Sequence, residues 1–302
     1  MYQQFDVTLN GSVGMKISSH TERSHSRLCS DLGIIKDYES AIESGGSVGG
    51  DSAAESENHL LTRYLNSASR TQTILCIEES ACEDIQMELF SQLSSGHIHI
   101  IDIAAGHGAG TVSLINTICE MRQSEVLKTE ALDITIHAID YSDISLGYYK
   151  NIVENLIPQY LAHGIVVDFQ CHVVDLTSDE DVHCSIEMIK TKVGHDPRYL
   201  LICSAISGVS QRVFREQFSK SYEHISNSFR AENSSFLWVE PRTKKQWMQK
   251  YWREFFDAKG IDPDAETSPV PLLHQQEFSW IDPYLNVIIP SVFADYLLVK
   301  LA

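Results

Sequence analysis

The chain has 302 residues, 43% of them hydrophobic and 21% charged, and its 41 acidic against 23 basic side chains leave a formal net charge of −18. This is the balance of a soluble globular protein, long enough for one large domain or a domain with an appendage. The acidic excess disfavours a life on the phosphate backbone of nucleic acid, where basic surface supplies most of the affinity.

The N-terminus, Met1-Tyr-Gln-Gln-Phe-Asp6, lacks the basic-then-apolar pattern of a signal peptide. No apolar run approaches the ~18–20 residues of a transmembrane helix, so no membrane partner is expected. The seven cysteines are scattered and odd in number, which suits reduced thiols and a cytoplasmic setting. Residues 1–43 mix polar and apolar types, with a short helix expected over Asp31–Ile42. Residues 44–58 are rich in glycine and serine and have almost nothing to bury. They read as a flexible linker, or functionally as a lid over a ligand. Leu60, Leu61, Tyr64, Leu65 and Ala68, then Ile85, Leu89 and Leu93, recur at helical spacing. Residues 1–95 therefore predict an N-terminal, mainly helical cap, and residues 96–302 a domain of alternating strands and helices.

That domain opens on Ile98, Ile100, Ile101 and Ile103, a β-branched run suited to a parallel strand covered on both faces. Gly106, Gly108 and Gly110 follow, and then Thr111, Val112, Leu114, Ile115 and Ile118 begin a helix running to about Met121. A strand passing through a glycine turn into a helix is a place to hold a nucleotide-like ligand. Leu132–Asp140 is a second strand, Ile144–Leu161 a helix with Pro158 near its end, and Ile165–Val174 a third strand closed by Asp175-Leu176. Asp179–Val193 is a helix and Arg198–Ser207 a fourth strand with its exit loop. Val209–Arg230 is an amphipathic helix, Ser235–Pro241 a fifth strand ending in Glu240-Pro241, and Thr243–Lys259 an aromatic-rich helix. Phe278–Ile281 and Ala294–Leu301 supply the last strands.

Charge at the glycine turn selects the ligand. The dinucleotide fingerprint G-x-G-x-x-G would place its third glycine at Thr111. Asp102, four residues before Gly106, would repel a pyrophosphate and attract a positive group. S-adenosylmethionine offers an ammonium for a carboxylate and a carboxylate for backbone N–H groups at the helix start, and it carries no phosphate. Asp140 ends the second strand 38 residues after Asp102, against about 20 in the dinucleotide fold, and the polar stretch Gln123–Glu130 absorbs the difference. A carboxylate there suits two vicinal ribose hydroxyls, or else a turn at the head of the next helix, where Ser142 and Asp143 are also good caps.

The pattern D-x-A-x-G-x-G over Asp102–Gly108 resembles motif I of the class I S-adenosylmethionine-dependent methyltransferases, with Ala104 where the usual motif has glycine. The resemblance covers about Ile98 to Ala302. It implies an α/β, Rossmann-like seven-stranded sheet with helices on both faces and a terminal antiparallel hairpin. It implies that Asp102 meets the cofactor ammonium, directly or through water, with Ala104, Gly106 and Gly108 allowing close backbone approach. Asp140 and Tyr141 would serve the ribose, Asp175 and Leu176 the adenine, and Ser204 would lie near the reacting methyl.

The family's amine-directed DNA methyltransferases carry Asn or Asp, Pro-Pro and an aromatic residue after the fourth strand. This chain has Ser204-Ala-Ile-Ser207. No general base is found there, so no catalytic residue is assigned, and a small-molecule or protein acceptor is expected. The alternative is a non-catalytic S-adenosylmethionine- or nucleotide-binding regulatory protein of the same fold. A nicotinamide-dependent oxidoreductase is a third option, opposed by Thr111 and Asp102. Tyr148, Tyr149 and Trp238 are either aromatic contacts to the sulfonium or core packing. Cys171-His172 and His183-Cys184 lack ligand spacing, and no metal site is expected. Arg242, Lys244, Lys245, Lys250 and Arg253 form the one candidate basic patch, or a solvated helix face.

Overall fold

The computed structural model describes residues 3–44, 52–76, 83–193, 197–204, 206, 208–231, 233–242, 247–257 and 274–301. Its centre is β3 (Gly96–Ile103), buried from Ile98 onward as a β-branched parallel strand should be. β4 (Leu132–Asp140) and β6 (Tyr199–Ser204) pair with it in parallel on either side. β5 (Ile165–Val173) continues beyond β4, and β7 (Ser235–Pro241) beyond β6. The chain thus moves outward from β3 to β5 and then returns to the other side of β3. That reversal leaves a crevice outside the carboxyl ends of β3 and β6, where α/β sheets take their ligands. β8 (His274–Asp282) and β9 (Val287–Lys300) form the antiparallel hairpin, with β9 antiparallel to β7.

Among the described residues the sheet has nine strands rather than seven, in the order β1-β2-β8-β9-β7-β6-β3-β4-β5. The additional pair, β1 (Asp6–Leu9) and β2 (Ser12–Lys16), comes from the segment expected as a mainly helical cap. Asn10 and Gly11 both take positive φ, 51° and 81°, the tight hairpin turn that an Asn-Gly pair favours. β2 then pairs in parallel with β8 through Met15 and Lys16. The helices of this segment are α1 (Ser19–Asp31), α2 (Tyr38–Ser44), α3 (Ala53–Cys76) and α4 (Glu83–Leu93). They share one apolar cluster with Ile98, Ile100 and Ile134 of the sheet. Tyr38 donates to Asp282 (2.7 Å) and His25 pairs with the Tyr284 hydroxyl (2.7 Å), tying the N-terminal helices to the turn of the C-terminal hairpin.

Helix α3 begins inside the glycine–serine stretch, seven residues before its apolar pattern does. Ser52 and Glu55 explain the early start. The Ser52 hydroxyl accepts from the Glu55 N–H (3.3 Å) and the Glu55 carboxylate accepts from the Ser52 N–H (3.2 Å), a reciprocal capping box. Residues 45–51 of the expected linker lie outside the described residues.

Helices cover both faces. α5 (Ala109–Gln123), α6 (Asp143–Ala162) and α3 lie over Ile98, Ile100 and Ile136. α7 (Asp179–Lys190), α9 (Ser219–Ser228) and α10 (Trp247–Asp257) lie over Ile101, Ile103 and Trp238. The single helix expected over 209–230 is divided: Gln211–Val213 (α8), a π-helical turn Phe214–Phe218, then α9.

Three histidines form a chain across the second face. His99 Nδ1 lies 3.2 Å from His137 Nε2, and His137 Nδ1 lies 3.3 Å from His172 Nε2. Each link needs one proton, which neutral imidazoles supply. Burial lowers all three pKa values, His99 to about 4, His137 to about 3 and His172 to about 4, and the positive forms of neighbouring histidines and Lys192 add to the effect. Native values below the unfolded 6.5 mean that their contribution is intact above pH 6.5 and is lost as pH falls toward 4. Urea unfolding at successive pH values is expected to show stability falling steeply across that window. The variant His137→Gln should reduce the slope by up to about 1.4 kcal/mol per pH unit.

Candidate functional site

β3 leaves the sheet at Ala104, which takes φ of 54°, a left-handed conformation that suits glycine and strains alanine by about 1 kcal/mol. The two glycines that follow are needed for different reasons. Gly106 also has positive φ, 52°, and among the described residues nothing lies within 4 Å of where a Cβ would stand. Its open side faces the crevice. Gly108, at φ 71°, is the N-cap of α5. A Cβ there would stand 2.1 Å from the Tyr149 ring, so its missing side chain makes room for protein rather than for ligand. Gly110 makes room for Ser204, whose Oγ would meet a Cβ at 2.9 Å.

Asp140 reaches back to this turn from the end of β4. Its Oδ2 accepts from the Gly106 N–H (2.8 Å) and its Oδ1 from the Ser142 N–H (2.9 Å). Burial raises its pKa, and those backbone donors oppose the rise. Capping of α6 falls to Ser142, whose hydroxyl accepts from the Ser145 N–H (3.2 Å). Asp140 therefore orders the turn and still lines a small cleft of about 120 Å³ with Ala104, Gly106, Tyr141, Ser142 and Ser145. Tyr141 is exposed beside it.

The opposite wall comes from α3, and sequence reasoning missed it. Ser56 bonds to His107 Nε2 (3.1 Å) and to the Ser145 hydroxyl (2.7 Å). His107 stacks between His59, at 5.6 Å, and Tyr148, at 6.0 Å. Tyr148 in turn donates to Glu57 (3.2 Å). Burial, with the His59 and His25 charges, lowers the His107 pKa to about 3 and keeps it neutral. The available signals were the Gly-His-Gly sequence at 106–108 and the capping box at Ser52, which brings the head of α3 over the turn.

Asp102 stands behind the cleft rather than on its wall. It is 1% exposed; Oδ2 accepts from the Thr111 hydroxyl (2.7 Å) and the Tyr149 hydroxyl (3.1 Å), while Oδ1 has no partner among the described residues. Burial raises its pKa to about 7 against those two hydrogen bonds, with Asp140 adding to the rise. A native pKa raised from 3.8 to about 7 contributes fully below pH 3.8 and is lost as pH rises through 7. Asp102→Asn is therefore expected to raise the melting temperature at pH 8, the gain reflecting up to about 4 kcal/mol and vanishing near pH 4, in a thermal scan at both pH values.

The other expected residues are dispersed. Asp175 is exposed, and its Oδ1 accepts from the N–H and hydroxyl of Thr177 (2.8 and 2.7 Å). Leu176 is buried in the second apolar cluster with Trp238. Tyr149 is fully buried. Glu240 is buried and accepts from the Ile206 N–H, which fixes the exit loop of β6. Residues 205 and 207 lie outside the described residues. So do Lys244, Lys245 and the side chain of Arg253, while Lys250 pairs with Glu254 (3.7 Å). His172 belongs to the histidine chain and His183 stacks on His224 at 5.7 Å. Among the described residues no cluster of three or more His, Cys, Asp or Glu could hold a metal ion. No helix among them is long and apolar enough to cross a membrane.

A larger cleft, about 430 Å³, lies at the far end of α5 between Lys16, Ile17, Glu120 and Gln123. In it, Glu120 accepts from the Ser19 N–H at the head of α1 (2.7 Å). It lies away from the carboxyl ends of the strands, so chemistry favours the smaller cleft.

No family model matches the chain, and no curated protein matches its sequence. Comparison with solved structures gives matches of low similarity. The N-terminal domain of human METTL16 in complex with SAH is 12% identical, with a TM-score of 0.35 over 100% of this chain and 90% of that one. A putative S-adenosyl-L-methionine-dependent methyltransferase from Methanococcus maripaludis is 10% identical, with a TM-score of 0.35 over 84% and 97%. The YcgJ protein from Bacillus subtilis is 8% identical, with a TM-score of 0.37 over 72% and 98%. These likenesses are remote.

Proposed function

We propose that the chain binds S-adenosylmethionine over the Gly106 turn and transfers its methyl group to a small-molecule acceptor. The observation that carries this reading is the junction of Gly106 and Asp140. An open glycine at the end of the first core strand is bonded directly to a carboxylate at the end of the second, and both line one cleft. The chain's groups fit the cofactor. Asp140 keeps acceptor capacity for ribose hydroxyls, and Tyr141 offers an aromatic face beside it. The first turn of α5, whose N-cap Gly108 has no side chain, presents N–H groups to a carboxylate. The orphaned Asp102 Oδ1 accepts a bridging water. At about 120 Å³ the described cleft is below the ~300–1,000 Å³ of ordinary ligand pockets, so it seats the ribose region and the remainder extends along the strand ends.

The bound cofactor would supply an activated methyl, which leaves the protein to position the acceptor and exclude water. His107, held neutral between two rings, shapes the wall of the turn. Glu240 fixes the loop at Ile206, beside which the acceptor would lie. Asp175 and Ser204 fall under the same proposal as contacts at the adenine end and the methyl end of the crevice. Incubation with methyl-tritiated S-adenosylmethionine and a metabolite extract tests the reaction. Label is expected in acid-soluble small molecules. Label in protein would move the acceptor class, and binding of S-adenosylhomocysteine without any transfer would leave the non-catalytic alternative.

A further inference from the structure

Helix α3 is buried along most of its length. His59, Arg63, Asn66 and Arg70 form a less buried stripe, and their spacing places them on one helix face. The stripe begins at the cleft, where His59 lies. It ends at Arg70, roughly 16 Å further along at 1.5 Å per residue, beside the carboxyl end of β7, where Pro241 pairs with Ala294. There the Arg70 Nε donates to the Phe293 carbonyl (3.3 Å), which also accepts from the Arg242 backbone N–H (3.3 Å). The Arg242 guanidinium stands 5.3 Å from the centre of the Phe293 ring. Both arginine side chains thus contact Phe293.

Arg70 is partly committed. Its Nη1 donates to the Asn66 carbonyl (3.1 Å), while Nη2 makes no hydrogen bond to a described residue. Burial lowers its pKa, the nearby Glu240 raises it, and an added anion would favour the charged form further. Two arginines thus meet one residue in a chain of net charge −18.

We propose that Arg70 and Arg242 bind an oxyanion, a carboxylate or phosphate group, on the methyl acceptor. The proposal rests on the methyl-transfer reading for the identity of the acceptor site, and it names the substrate class: a small organic acid or phosphate ester rather than an amine or a neutral compound. The stripe from His59 to Arg70 is then shared between the cofactor's reacting end and the body of the acceptor. Guanidinium forks hold both kinds of oxyanion by paired hydrogen bonds.

Arginine Nε resonances of ¹⁵N-labelled protein, saturated with S-adenosylhomocysteine and titrated with inorganic phosphate or sodium acetate, test the site. Saturable shifts at Arg70 and Arg242 are expected, with affinity falling about 10-fold or more in Arg70→Gln. Arg242→Gln, at an exposed position, should weaken binding without a folding defect. The anion that saturates more tightly indicates which acceptor chemistry applies. Linear, unsaturable shifts with both anions would overturn the proposal, as would binding unaffected by either substitution. Calorimetry with S-adenosylhomocysteine on the same samples separates the two readings. Cofactor binding without anion binding defeats only the oxyanion site, and anion binding without cofactor binding defeats only the methyl-transfer reading.

Discussion

Gly108→Ala is expected to destabilise the protein by about 3 kcal/mol or more, from overpacking of about 1–3 kcal/mol and left-handed strain of about 1–2 kcal/mol. The added Cβ would stand 2.1 Å from the Tyr149 ring, at φ of 71°. Tyr149 cannot swing aside cheaply, because its hydroxyl donates to the buried Asp102 and moving it would strip that carboxylate of one of its two donors. Gly106→Ala is the control. It shares a positive φ but has open space around the added methyl, so only the strain of about 1 kcal/mol applies. Thermal unfolding of both variants should show Gly108→Ala melting several degrees lower. Equal melting temperatures would mean that Tyr149 does not occupy the turn in solution.

Asp140→Ala is expected to weaken S-adenosylhomocysteine binding by about 100-fold, the loss of two hydrogen bonds to a charged acceptor at about 1.5 kcal/mol each. The substitution also removes the acceptor for the Gly106 N–H, so the turn loses order before any ligand arrives. Asp140→Asn separates the effects: one oxygen still accepts while the charge is gone, and an intermediate affinity should result. Calorimetric titration of the two variants beside the parent chain gives the comparison. Full affinity in Asp140→Ala would remove the ribose role from this carboxylate.

Much of the fold was legible because its core strands are continuous β-branched runs bounded by turn residues. Leu132–Asp140 is a strand with the expected limits, and β3 and β5 differ from expectation by a residue or two. The β1–β2 hairpin was missed although Asn10-Gly11 marks it, because its short strands are largely exposed and carry little apolar alternation. The start of α3 was missed because glycine and serine dominated the reading of residues 44–58 and hid the Ser52–Glu55 capping box. Around the glycine turn, the places of Asp102, Gly106 and Asp140 at or after the ends of β3 and β4 could be read from the sequence, but their environments could not. No local pattern shows that Tyr149 fills the space at Gly108 or that Asp102 is enclosed. The same limit hid His107, Ser56 and Arg70, whose partners lie 51, 51 and 223 residues away in the chain.

A crystal grown with S-adenosylhomocysteine tests the central claim most directly. The predicted result is adenosyl density over Gly106, with ribose hydroxyls within hydrogen-bond reach of the Asp140 carboxylate. Density in the larger cleft between Lys16 and Glu120, or no bound ligand at saturating concentration, would contradict it.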